Sequence, residues 1–199
     1  MKGILSGILI ALGGYGFLVL GGIPGACIFA FGLISILYFE IPSYVETAGT
    51  IELHLVKLKQ SLGNLFLVLF QNLLGCGLVA LLFRATADNI VQGNVQALIN
   101  TRLALGFWTT FFKAVGCGII IDICVYIRRN TGSMLPVLFG VPLFILCGFI
   151  HTVADTFYLL CSPGSWSWGI LWYYPCIILG NLVGCNFRRI FRGEIKKKD

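Results

Sequence analysis

Apolar runs long enough to cross a bilayer follow one another along nearly the whole chain, at about Gly3–Leu20, Gly25–Phe39, Leu62–Phe83, Leu103–Ile127, Met134–Ile150 and Ile170–Phe187. A hydrocarbon core about 30 Å thick takes about 20 apolar residues per helix, so the pattern predicts six spans. Of the 199 residues, 58% are hydrophobic and only 11% charged, against roughly 25% charged in soluble domains. A soluble fold of this size could not hide so much apolar surface. Lipid offers the backbone no hydrogen-bond partners, so the spans must be helices, and the chain reads as one all-α integral membrane domain over residues 1–199. The first run passes into more apolar sequence without a polar cleavage region, which makes it a retained span rather than a signal peptide.

The net charge of +6 is not a nucleic-acid signal, because the basic residues sit at the ends of the runs. With both termini inside, Lys2, Lys57, Lys59, Arg128, Arg129, Arg188, Arg189, Arg192 and Lys196 to Lys198 fall on the cytosolic side, and only Arg84 and Arg102 fall outside. That asymmetry predicts a multi-pass protein of the cell (inner or plasma) membrane with cytoplasmic termini. Residues 188–199 form a basic cytosolic tail. Trp166, Trp168, Trp172, Tyr173 and Tyr174 then read as an interfacial belt at the outer edge of the last span. Six of the eight cysteines lie inside apolar runs and read as packing residues. Cys161 and Cys176 flank the Ser162–Gly169 loop, where a free pair is favoured over a bridge.

The two halves resemble each other. Asn72-Leu-Leu-Gly-Cys76 recurs 109 positions later as Asn181-Leu-Val-Gly-Cys185, and Phe31-Gly-Leu-Ile recurs loosely as Phe139-Gly-Val-Pro. Three spans per half put the repeats, about 1–85 and 103–190, in opposite orientations, which predicts inverted repeats with a solute path near the midplane. The second and fifth spans both run out into polar residues, at Glu40–Gly49 and Gly148–Asp155. Paired broken helices at matching places point to a transport site, because irregular backbone at membrane depth survives only against protein or a water-filled cavity. The layout is aquaporin-like, without an Asn-Pro-Ala box.

His151 is the one histidine inside an expected span, and an intramembrane group that titrates near neutrality is a candidate for function. Asp122 and Asp155 each cost about 2.5–3.5 kcal/mol at a helix centre and must face a cavity, find a donor or stay protonated. Lys113 lies nine positions before Asp122, roughly on the opposite helix face, so those two are not expected to pair. Arg102 marks the mouth of the fourth span, either snorkelling or functional. No nucleotide loop, zinc helix or nucleophile elbow occurs, and two histidines are too few for most metal centres. The chain is therefore read as no enzyme, with no metal and no cofactor.

The motifs around these residues resemble the formate/nitrite transporter family, pentameric channels for small monovalent anions. Gly148-Phe-Ile-His-Thr-Val-Ala-Asp155 resembles the family's Gly-Phe-Glu-His-Ser-x-Ala-Asn box around its central histidine, and Gly180-Asn-Leu-Val-Gly184 is its last-helix motif unchanged. Arg102-Leu-Ala-Leu with Phe111-Phe-Lys-Ala-Val115 is similar to the vestibule lysine and the Phe-Phe-Arg-Gly-Val run, and Gly118-Ile-Ile-Ile-Asp122 to Gly-Ile-Leu-Cys-Asn. In the first half, Phe29-Ala-Phe-Gly-Leu33, Tyr44-Val-Glu-Thr-Ala-Gly-Thr50 and Gln71-Asn-Leu-Leu-Gly75 are collinear with the family's second helix, loop and third helix.

The resemblance implies a homopentamer and a channel or transporter for formate, nitrite, hydrosulfide or their conjugate acids. In it, Arg102 draws the anion in and His151 relays a proton; Phe144, Phe29 and Leu33 form constrictions, while Asn181, Thr47 and Asn72 offer hydrogen bonds. It also places Asp122 beside His151, where an ionised carboxylate would hold the ring's proton and the two would titrate as one unit. Several positions depart from the family: arginine replaces the vestibule lysine, Ile150 replaces the glutamate of the histidine box, Asp122 and Asp155 replace asparagines, and the family's N-terminal cytosolic helix has no counterpart before the first span. The rival readings are a membrane subunit or enzyme binding a lipid or quinone between its helices, and a cation or ammonium path along Asp122 and Asp155.

Overall fold

In a computed structural model, which describes residues 1–51, 55–86, 89–162 and 167–191, the chain is helical and holds no strand among those residues. Four helices are long and apolar enough to cross a membrane: α1 (Lys2–Leu20), α4 (Leu55–Thr86), α6 (Phe107–Thr131) and α9 (Gly169–Asn186). Between them stand the shorter α2 (Gly22–Tyr38), α3 (Tyr44–Ala48), α5 (Asn89–Leu103), α7 (Leu135–Leu146) and α8 (Thr152–Cys161), and a 3-10 turn at Phe187–Phe191 ends the described chain. The outward faces carry exposed Phe31, Phe66, Phe70, Leu81, Phe112 and Phe139, as a surface in contact with lipid does. Trp166, Arg192 and Lys196 to Lys198 lie outside the described residues.

Both breaks fall where expected, each with a residue in the left-handed region: Glu40 at φ 52° after α2 and Gly148 at φ 66° after α7. Neighbouring backbone satisfies the exposed amides; the Ile150 N–H donates to the Lys113 carbonyl of α6 at 3.3 Å. Helix contacts repeat between the halves. α1 packs on α2 and α4 as α6 packs on α7 and α9, and each short helix crosses over, α3 onto α9 and α8 onto α4. The α1–α4 and α6–α9 crossings are close because of glycine: a Cβ on Gly75 would stand 2.1 Å from the Ile4 carbonyl oxygen, and one on Gly184 2.2 Å from that of Val115. Without a hydrophobic force between helices in lipid, such backbone approach is what holds them.

The connector α5 is not expected from hydropathy. It buries one face through Val91, Val95 and Ile99, and Asn94 donates to the free Leu18 carbonyl at the end of α1 at 2.9 Å. All eight cysteines are free, with Cys161 and Cys176 both buried. The aromatic belt is only partly a belt: Trp168 is exposed, but Tyr173 is fully buried and the Tyr174 hydroxyl pairs with Thr156 at 2.6 Å.

Candidate functional site

The short helices α3 and α8 begin inside the protein, and a buried asparagine anchors the start of each. Asn181 Oδ1 accepts from the Thr152 N–H and hydroxyl, both at 2.8 Å, while its Nδ2 donates to the Ala114 and Ile150 carbonyls at 2.8 Å. Asn72 Oδ1 accepts from the Tyr44 N–H and its Nδ2 donates to the Gly3 carbonyl, again at 2.8 Å. Both side chains are wholly buried. Their amides tie the broken segments to the neighbouring helices and so hold the site's frame.

The residues just ahead of these anchors cap the helices. Ser43 Oγ accepts from the Glu46 N–H at 3.4 Å, and His151 Nδ1 accepts from the Ala154 N–H at 3.1 Å. A ring nitrogen that accepts a backbone N–H carries no proton, so the neutral imidazole of His151 has its hydrogen on Nε2. His151 is 4% exposed and lines a cavity of about 170 Å3 with Phe29, Phe144, Arg102, Lys113 and Tyr158. Water takes about 30 Å3 per molecule in the liquid, so the space suits a few waters or one small ion.

Phe144 closes the cavity floor. Its ring lies parallel to His151 with centroids 6.0 Å apart and meets Phe29 edge-on at 6.1 Å. Phe29, Leu33 and Leu37 follow at i, i+4 and i+8 on one face of α2. Phe29 lines the His151 cavity, Leu33 is buried between, and Leu37 lines a second cavity of about 480 Å3. That second cavity also touches Thr47, Asn64, Glu46, Arg128 and Arg129. Lys113 and Arg128 lie 15 residues apart on α6, roughly 22 Å of helix rise. The two cavities therefore open toward opposite ends of the bundle, separated by about two turns of apolar side chains.

The charged residues are arranged differently from the sequence expectation. Arg102 is ion-paired to Asp155, whose other oxygen accepts from the Tyr173 hydroxyl at 2.9 Å, and its guanidinium lies 5.6 Å from the Tyr158 ring centroid. Asp155 is fully buried. Arg102 reaches the cavity, but its charge is already answered. Lys113, passed over in the sequence as a residue that fails to meet Asp122, lines the same cavity and donates to the Cys147 and Gly148 carbonyls, each at 3.3 Å. Its place within the fourth apolar run was the available signal.

Asp122 does not meet His151. Arg188 takes its carboxylate with two bonds, Nε to Oδ2 at 2.8 Å and a terminal nitrogen to Oδ1 at 3.3 Å. Asp122 stands one turn beyond Gly118, next to the last-helix arginine and on the side of the second cavity, where it borders a separate recess. In that region Arg129 pairs with Glu46 at 2.7 Å, and the Nε of Arg128 has no hydrogen-bond partner. Among the described residues no cluster of His, Cys, Asp and Glu could hold a metal.

Two cavities in a helical membrane protein, parted by a short apolar plug beside one polar ring, are the features of a transport protein. The sequence model of the formate/nitrite transporter family matches residues 1–188, and the chain belongs to that family. It is 26% identical over 209 aligned positions to the "Uncharacterized transporter YrhG" of Bacillus subtilis (strain 168), covering 92% of this chain and 78% of that protein. Among solved structures it is similar to a "Pentameric formate channel with formate bound", with a TM-score of 0.83 at 18% identity over 97% of this chain and 92% of that one. It is also similar to an "FNT family ion channel", with a TM-score of 0.79 at 18% identity over 92% and 84% of the two chains. The fold is the channel fold of those structures, and the family consists of transporters and channels rather than enzymes.

Proposed function

We propose that the chain conducts small monovalent anions or their conjugate weak acids, such as formate, nitrite or hydrosulfide, from one cavity to the other past Phe29, Leu33, Phe144 and His151. One observation carries the reading: the cavity below Lys113 ends on the buried His151, directly against the phenylalanine plug. With the termini cytoplasmic, the His151 cavity is the outer vestibule and the Arg128 cavity the inner one. The matching helix contacts and the matched Asn72 and Asn181 anchors support six crossings arranged as two inverted repeats, about 1–85 and 103–190. The lipid-facing apolar surface and the pentameric relative support a homopentamer with one pore per chain.

In this scheme the Lys113 ammonium draws the anion in, and the positive end of α8 and the His151 Nε2–H stabilise it at the plug. A bare anion among phenylalanines is very costly, whereas its conjugate acid is not, so neutralisation at His151 favours passage. For the ring to give up its Nε2 proton it must first gain one at Nδ1, which breaks the Ala154 cap. The cap thus sets how readily the imidazolium forms, and couples proton to anion. The cation path loses its footing because Asp122 and Asp155 are each matched by an arginine. A quinone is too large for the space beside His151, since drug-sized ligands occupy about 300–1,000 Å3. Proteoliposomes loaded with formate or nitrite should release it, and ammonium should not follow; ammonium flux without anion flux would overturn the proposal.

A further inference from the structure

The last described turn of the chain reaches back to the inner cavity. Arg188 binds the Asp122 carboxylate through two nitrogens and lays its guanidinium 4.1 Å from the centroid of the Tyr126 ring. Arg189 donates to the Gly49 carbonyl at 3.1 Å and to that of Ile51. Just before them, Asn186 Nδ2 donates to the Ala48 carbonyl at 2.9 Å. The end of α9 therefore holds the Ala48–Ile51 stretch that leaves α3. The same stretch lies on Asp122: a Cβ on Gly49 would stand 2.9 Å from Asp122 Oδ1.

What is held matters to the pore. α3 carries Glu46 and Thr47 into the 480 Å3 cavity, and Asp122 and Arg188 line a recess of about 40 Å3 that shares Glu46, Thr50 and Arg129 with it. Five residues of helix cannot fix their own position, because a single turn is no more than a helix nucleus. Three carboxylates border the mouth, Glu40, Glu46 and Asp122, and the last two are each answered by one arginine, Arg129 and Arg188 respectively.

We propose that Arg188 and Arg189 form a latch from the end of the last crossing onto α3. Arg189 positions Thr47 by holding the Gly49 and Ile51 carbonyls, and Arg188 keeps the inner mouth from presenting the bare charge of Asp122 to an incoming anion. Both are positioning residues, since neither lines the 480 Å3 cavity. The charge arm rests on the anion-pore reading above, and the positional arm does not.

The full-length protein in proteoliposomes tests the first arm by formate uptake from the inner face. Arg188→Gln leaves Asp122 uncompensated, and repulsion across several ångströms of partly screened protein should slow uptake about tenfold. Arg188→Lys keeps the charge and should stay near the unmodified protein. Arg188→Gln with Asp122→Asn leaves neither charge of that pair bare, so uptake should recover. A double variant as slow as Arg188→Gln alone, or Arg188→Gln as fast as the unmodified protein, would overturn the charge arm. Hydrogen exchange reads the positional arm without any transport: Arg189→Ala should speed exchange across Tyr44–Ile51 and leave the α7 to α8 break unchanged. Unaltered exchange there would overturn the latch. A protein that moves no anion at all would refute the anion-pore reading while the exchange result still decided the latch.

Discussion

Replacing Arg102 by leucine separates two accounts of that residue. If it were a solvated charge at the mouth of the pore, its loss would slow anion capture and leave the protein as stable as before. The structure instead ties it to Asp155, which is completely buried and whose remaining hydrogen bond comes from Tyr173 at 2.9 Å. Removing one partner of a buried pair leaves an uncompensated charge and costs about 3–5 kcal/mol. The lost contact with Tyr158 adds on the order of 0.5–2 kcal/mol. At roughly 2–4 °C per kcal/mol for a chain of this size, the detergent-solubilised variant should unfold on the order of 10 °C lower. Arg102→Leu combined with Asp155→Leu removes both charges and should recover most of the loss, because an apolar pair often replaces a buried ion pair without penalty. Thermal unfolding followed by intrinsic fluorescence or circular dichroism gives the comparison. An Arg102→Leu protein as stable as the unmodified one, or a double variant that loses the sum of the two single effects, would refute the buried-pair argument.

Other perturbations follow from the same geometry. His151→Asn keeps an acceptor for the Ala154 N–H, since asparagine is a good helix cap, so the protein should fold while the pH dependence of formate flux flattens; an unchanged profile would remove the proton relay from His151. Asn181→Ala strands the Thr152 N–H and the Ile150 carbonyl, at about 1–3 kcal/mol for each buried orphan, and should lower thermal stability well beyond Thr156→Ala; equal losses would show that Asn181 is not the anchor of α8. Native mass spectrometry in mild detergent should show five chains, and monomers alone would contradict a homopentamer.

The apolar runs located the long helices and both breaks because helix length and polar interruption are local properties of sequence. The connector α5 does not register in hydropathy because its 15 residues are too polar on average, although the spacing of Val91, Val95 and Ile99 marks a buried face. His151, Phe144 and Phe29 came together as the family motifs imply. The partners of the charges did not follow, because an ion pair such as Arg102 with Asp155 or Arg188 with Asp122 joins positions 53 and 66 residues apart, and only helix packing brings them together. Asn72 and Asn181 lie where the motifs put them, but their hydrogen bonds are not legible in the sequence: they go to the main chain of the broken segments and neighbouring helices and, for Asn181, also to the Thr152 hydroxyl.

If the solute passes Phe144 within a single chain, anion flux must depend on the side chain at that position. In proteoliposomes Phe144→Ala should speed formate flux and admit larger carboxylates such as butyrate, while Phe144→Trp should reduce formate flux sharply with the protein still folded. Flux and size selectivity that stay the same across phenylalanine, alanine and tryptophan at position 144 would place the path elsewhere and contradict the account.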